Sequence, residues 1–271
     1  MRRATPLLGV IFVVLSACAS DHVTLAYRLD TGRALEYRLL LSAKIARTLD
    51  TKTTGQTIEA TFLASQEILG SLPDNGVRAR MSLRPESLIV DGRTVGVGLP
   101  QEFDIILAED GRVVEIDRVG GAASEELSQV GIERLLPRLR PVLPEGAARP
   151  GDSWQSSAEF TDPAGTFSLD LRSRLAALGV TDGVKAALVR TSYVSPVDRE
   201  EIFANAVAEV RGRDIGTQET WFALDGFLVR SRGDSVGRYE ITFRPPGGEA
   251  GVAAVKGRLE VRLHTEMQLL P

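Results

Sequence analysis

From Val23 onward apolar and polar residues alternate with a period of two, the spacing of a strand that packs one face and wets the other. Val23, Leu25, Tyr27 and Leu29 alternate with Thr24, Ala26, Arg28 and Asp30. The same pattern returns at Val77, Ala79, Met81 and Leu83, at Phe167, Leu169 and Leu171, and at Leu259, Val261 and Leu263. These runs predict antiparallel strands with one solvated face. Asn75-Gly76, Asp91-Gly92, Asp110-Gly111, Asp182-Gly183 and Asp225-Gly226 fall between runs and supply the positive φ angles of tight hairpins, which predicts a meander.

One segment changes period. After Gly120-Gly121, Ser124 is placed to cap a helix, Glu125 and Glu126 suit its positive end, and Leu127, Val130, Leu135 and Leu139 keep to one side. Pro137 should kink or end this helix, and Pro141 and Pro144 stop it. The flanking halves read alike. Leu69-Gly70 leads through Asn75-Gly76 to Val77 as Leu178-Gly179 leads through Asp182-Gly183 to Val184, and the hairpin at Asp110-Gly111 matches that at Asp225-Gly226. The expected fold class is mainly β: antiparallel meander sheets, read as a duplicated half-barrel, with one amphipathic helix between the halves. The expected organisation is a first β-meander over 23–120, a helix and Pro-rich linker over 121–148, and a second meander over 149–271.

Composition places this pattern in an ordinary globular chain of 271 residues, 43% hydrophobic and 25% charged, with 32 basic against 36 acidic residues and a net charge of −4. That balance argues against a nucleic-acid partner. The N-terminus is different in kind. Arg2 and Arg3 precede an apolar run from Leu7 to Leu15, too short at about 1.5 Å per residue to cross a hydrocarbon core about 30 Å thick. Leu15-Ser16-Ala17 then leads to Cys18, the single cysteine of the chain. This is an export signal, and the four residues resemble the lipobox of bacterial lipoproteins. The resemblance implies cleavage of residues 1–17, diacylglycerol on the Cys18 thiol, a lipidated tether over 18–22 and membrane attachment through acyl chains alone. Ala19 after the cysteine resembles the outer-membrane sorting pattern, which implies a periplasm-facing anchor in a host with two membranes. Loss of the two arginines leaves a net charge of −6, so no polybasic contribution to docking is expected.

Arg149-Pro150-Gly151-Asp152-Ser153-Trp154 resembles a junction in uncharacterised β-rich envelope lipoproteins, a grouping that implies architecture and location but no activity. Gly151 there permits a turn, and Trp154 is placed to lock the helix exit against the sheet.

Candidate chemistry is sparse. The histidines are His22, in the tether, and His264, on the polar face of the last strand, and neither sits like a buried base. A Gly-x-Ser-x-Gly elbow and His-rich metal spacing are absent from the sequence. Asp30-Thr31-Gly32 has the tripeptide of aspartic proteases, but Arg33 follows where that family has a small residue and no second copy occurs, so a hairpin turn explains it. Gly96-Val97-Gly98 lacks the third glycine of a phosphate loop. Asp198-Arg199-Glu200-Glu201 follows Ser195-Pro196 and reads as a solvated loop. Arg134, Arg138 and Arg140 offer an anion or lipid-headgroup site, although basic groups near a helix C-terminus also favour the helix dipole, which is the simpler reading.

No catalytic, cofactor or metal residue is therefore expected, and Cys18 is the one assigned site. The expected function is that of a non-enzymatic, membrane-anchored envelope lipoprotein that binds a hydrophobic ligand or supports envelope assembly. The alternative is a scaffold that binds an envelope protein through an exposed strand edge, and a hydrolase using Asp30 stands last.

Overall fold

The alternating runs extend into strands much longer than their cleanest stretches. The computed structural model describes residues 22–271 except 29, 33, 74–75, 129, 163–164, 204–205 and 245–253. In the first half β1 (Val23–Thr24), β2 (Ala34–Leu49), β3 (Lys52–Ser71), β4 (Val77–Val90), β5 (Arg93–Thr94), β6 (Gln101–Leu107) and β7 (Val113–Gly120) follow one another. A helical turn α1 (Glu125–Ser128) and a 3₁₀ helix (Ile132–Leu139) come next. The second half holds β8 (Ala147–Ala148), β9 (Ser153–Asp162), β10 (Gly165–Thr181), β11 (Val184–Phe203), β12 (Ala206–Ala223), β13 (Leu228–Arg244) and β14 (Val255–Leu269).

Successive long strands pair antiparallel around a ring, β2-β3-β4-β6-β7 and then β9 through β14, and β14 closes on β2 from Gly257↔Leu49 to Leu269↔Tyr37. The protein is mainly β, a closed barrel of eleven strands in which the two halves of the chain are arcs of one sheet. Up-and-down alternation cannot close on an odd number, so one neighbouring pair must run parallel. That pair is β7 and β9, joined at Glu115↔Thr161. Parallel neighbours need a connection that travels the full height of the sheet. Here it runs through the barrel: Leu127, Ile132, Leu135, Leu136, Leu139 and Val142 of the connecting segment are all buried in the core cluster.

The turns divide between two ends. The hairpins β3–β4, β6–β7, β10–β11 and β12–β13 share one end, which residues 22–28 close from below. Tyr27 packs edge-on against Phe222 with ring centroids 4.8 Å apart and donates to the Pro141 carbonyl at 2.8 Å. Arg28 N–H donates to the Gly226 carbonyl at 3.0 Å, and β1 pairs with β8. At the other end, where β2 passes to β3, no described residue closes the lumen.

Inward positions carry the core, among them Leu39, Phe62, Leu83, Phe103 and Phe222, all at 0% exposure. Outward positions carry charge in cross-strand pairs, such as Arg80–Asp104 (2.9 Å), Arg190–Glu219 (2.8 Å) and Arg238–Glu260 (3.2 Å). A lipid-spanning barrel presents an apolar outer band instead, so this wall is built for water. No helix among the described residues is long and apolar enough to cross a membrane.

Three expectations require correction. The alternation at Val23–Leu29 gives only the two-residue β1, because Leu25 and Tyr27 turn inward to close the barrel end; Leu29 lies outside the described residues. The single amphipathic helix is two pieces, broken at Gly131 with φ 66°. The Ser124 cap does form, accepting from Leu127 N–H at 3.4 Å. A one-sided helix suits a flat sheet, whereas this segment is enclosed and buries adjacent residues such as Leu135 and Leu136. Finally, Asp198–Glu201 belongs to β11 and not to a loop. The β10–β11 ladder ends at Asp170↔Val194, so Pro196 retains a partner only on β12, where it faces Arg213. Ser195 Oγ spans the break by donating to the Ser168 carbonyl at 2.8 Å.

Candidate functional site

Side chains fill an eight-stranded barrel, and diameter grows with strand number. Eleven strands therefore leave interior space that residues 121–148 only partly occupy. Between this segment and the wall of β10–β14 and β2 lies a cavity of about 820 Å³ that reaches the open end. It falls toward the upper part of the roughly 300–1,000 Å³ range typical of small-molecule sites.

The registers order its wall into rows. Ser235 and Leu263 form the deepest, and Ser195, Asp214, Gly237 and Val261 lie above them. Val197, Gly212, Tyr239, Leu259 and Arg47 come next, followed by Arg199, Val210, Ile241, Gly257 and Leu49 nearer the mouth. The connecting segment forms the floor with Val130, Arg134, Leu135 and Arg138.

A polar network lies within this apolar surround. Arg138 Nη2 donates to Asp214 Oδ2 at 2.6 Å, with the two side chains 11% and 10% exposed, and Tyr239 Oη donates to Asp214 Oδ1. A Cβ at residue 237 would fall 2.3 Å from that carboxylate oxygen, so glycine there is what lets Asp214 and Tyr239 meet across the sheet. Burial, reinforced by the Asp214 carboxylate, pushes the Tyr239 phenol above its ordinary range, and it remains a neutral donor. Burial pulls the Arg138 guanidinium down, but Asp214 and the tyrosines Tyr193 and Tyr239 outweigh this and hold it above its usual value. Arg138 also lies 5.3 Å over the Tyr193 ring, and its Nε is buried with no hydrogen-bond partner. Arg134 stacks 4.3 Å over Phe167.

The described lining holds six arginines, at 47, 118, 134, 138, 199 and 258, against one carboxylate, Asp214. No protein-family model matches the chain, and no curated protein matches it either.

Of the residues singled out from sequence, Arg134 and Arg138 come together in the lumen, where they do more than answer a helix dipole; Arg140 is buried nearer the closed end, beside Tyr27 and Tyr37. Arg199 reaches the same cavity from the charge cluster, while Asp198 faces outward and pairs with Arg211 at 3.2 Å. Asp214 and Tyr239 were not anticipated. Their signal is parity: each occupies an inward position on an alternating strand, and a carboxylate there is anomalous.

Cys18 and its flanking motif lie outside the described residues. His22 is exposed. His264 is on the outer wall, its Nδ1 2.8 Å from Asp234 and its Nε2 3.4 Å from Glu266. Ser42 faces His264 across the β14–β2 ladder, but Nε2 is turned to Glu266. Asp30 precedes a turn at Thr31-Gly32, where Gly32 N–H donates to the Ile68 carbonyl at 2.9 Å. Gly98 adopts φ 76° against the backbone at Ser124 and forms no cradle. The expected Trp154 lock is present, its indole N–H donating to the Val142 carbonyl at 2.9 Å. No group of three or more His, Cys, Asp or Glu residues suited to a metal ion occurs among the described residues.

Proposed function

We propose that this protein is a membrane-anchored envelope lipoprotein, lipidated at Cys18 and non-enzymatic, whose barrel binds a hydrophobic small molecule. The lumen cavity carries the reading: its walls are formed largely by Phe167, Val197, Val210, Ile241, Leu259 and Val261, an apolar concave surface open at one end. Apolar surface of this kind gains about 25 cal/mol per Å² when a ligand displaces its water.

A lipid tether at Cys18 would leave from the closed end of the barrel, where Val23 pairs with Ala148. Residue 22 is at the closed end, and four residues span at most about 14 Å. The mouth, a strand of 16 residues or about 50 Å of wall away, opens on the side opposite the anchor. The cavity then serves a ligand delivered from the aqueous side and does not draw it from the anchoring bilayer beneath.

The test is native mass spectrometry of the Cys18→Ser chain exported by its own host and purified without detergent. A co-purifying lipid removed by organic extraction supports the reading, and its identity names the ligand. An empty chain that takes up no added lipid rejects it and moves the search to envelope-protein partners.

A further inference from the structure

The lumen has a chemical polarity that an apolar ligand alone would not require. Its floor presents Arg134 and Arg138, Arg199 faces in from β11, and Asp214 is the only carboxylate of the described lining. Above the floor the wall runs through Val210, Ile241 and Leu259, with Arg199 level with Val210 and Ile241. A guanidinium buried for structural reasons alone is matched by its counter-charge and its remaining donors are satisfied. Arg138 departs from this: Asp214 takes Nη2 and also accepts from Tyr239, while Nε is buried without a partner.

Resting on the carrier reading above, we infer that the ligand is an acidic amphiphile, whose carboxylate or phosphate head lies on the floor at Arg138 and Arg134 and whose apolar body follows the wall to the mouth. The head offers the buried Arg138 Nε an acceptor, and a guanidinium fork favours planar, charge-assisted contacts to such a group. Asp214 then competes with the ligand for Arg138 and sets affinity by doing so.

Calorimetric titration of the Cys18→Ser chain with palmitate, with hexadecanol and with inorganic phosphate tests this. Palmitate should bind about tenfold tighter than hexadecanol, the scale of one charge-assisted contact. The palmitate-to-hexadecanol ratio should fall in Arg134→Met and Arg138→Met and rise in Asp214→Asn, opposite responses that a purely structural network would not give. Equal binding of the acid and the alcohol, with no movement of the ratio in any variant, overturns the acidic head while leaving carriage of hydrophobic ligands intact. Phosphate binding as tightly as palmitate at the same arginines overturns the amphiphile in favour of a free anion. Failure of every probe to bind removes both inferences.

Discussion

The most exacting positions in this barrel are single residues that permit a contact no other side chain would allow. Gly237 is one, since the Asp214 carboxylate occupies the space a methyl group would need. Gly237→Ala should therefore lose about 1–3 kcal/mol in urea denaturation, whereas Gly70→Ala, with nothing within 4 Å, should be nearly neutral on packing grounds. The buried Arg138–Asp214 pair makes a second prediction. Arg138→Met alone strands a buried carboxylate and should destabilise by about 3–5 kcal/mol, while the double variant Arg138→Met/Asp214→Leu should regain most of the loss. If the double variant is as unstable as the single one, Arg138 is held chiefly by packing. Outer-wall pairs such as Arg211–Asp198, with side chains 66% and 76% exposed, should contribute within about 1 kcal/mol when removed.

At the scale of elements, the decisive unit is the segment between β7 and β9. It enters at the open end, where Gly121 adopts φ 73°, and leaves at the closed end, where Leu143 N–H donates to the Asp110 carbonyl at 3.0 Å. Gly131 divides its two helical pieces with a left-handed backbone, so Gly131→Ala should cost about 1–2 kcal/mol and Gly131→Asn distinctly less, by urea denaturation. The β7–β9 seam, with one register pair among the described residues, contrasts with the continuous β11–β12 ladder from Ala186↔Ala223 to Phe203↔Ala206. Hydrogen exchange should reach the β7 and β9 amides facing that seam long before those of β12. Uniform protection around the ring would contradict this weak point.

For the whole molecule, Tyr27 and Tyr239 make stability depend on alkaline pH. Burial raises Tyr27 and Tyr239 above the ordinary phenol range, reinforced at Tyr239 by Asp214. The unfolded chain then loses these protons before the folded one. Their contribution is fully present below about pH 10 and is lost as pH rises beyond it toward the folded values. The urea midpoint should fall between pH 9 and 11, and the Tyr27→Phe/Tyr239→Phe double variant should show a distinctly shallower fall. Acting at opposite regions of the barrel, the two tyrosines should contribute additively.

The alternation of small numbers of residues was enough to reveal the class of fold, the inward faces of Val77–Leu83 and Phe167–Leu171, and turns such as Asp182-Gly183, because strand period and positive φ are local properties. It also gave the cap at Ser124 and the lock at Trp154, which join residues close in the chain. The cavity is of another kind. Asp214 meets Arg138 across 76 residues and Tyr239 across 25, and nothing near any of the three marks the others. What joins them is the number of strands in the ring. An odd count forces one parallel pair, the parallel pair needs a connection as long as the sheet is high, and the apolar residues of that connection bury it in the lumen, which carries Arg134 and Arg138 inside. Local pattern determined which face of each strand is dry; closure of the sheet decided what the dry space contains.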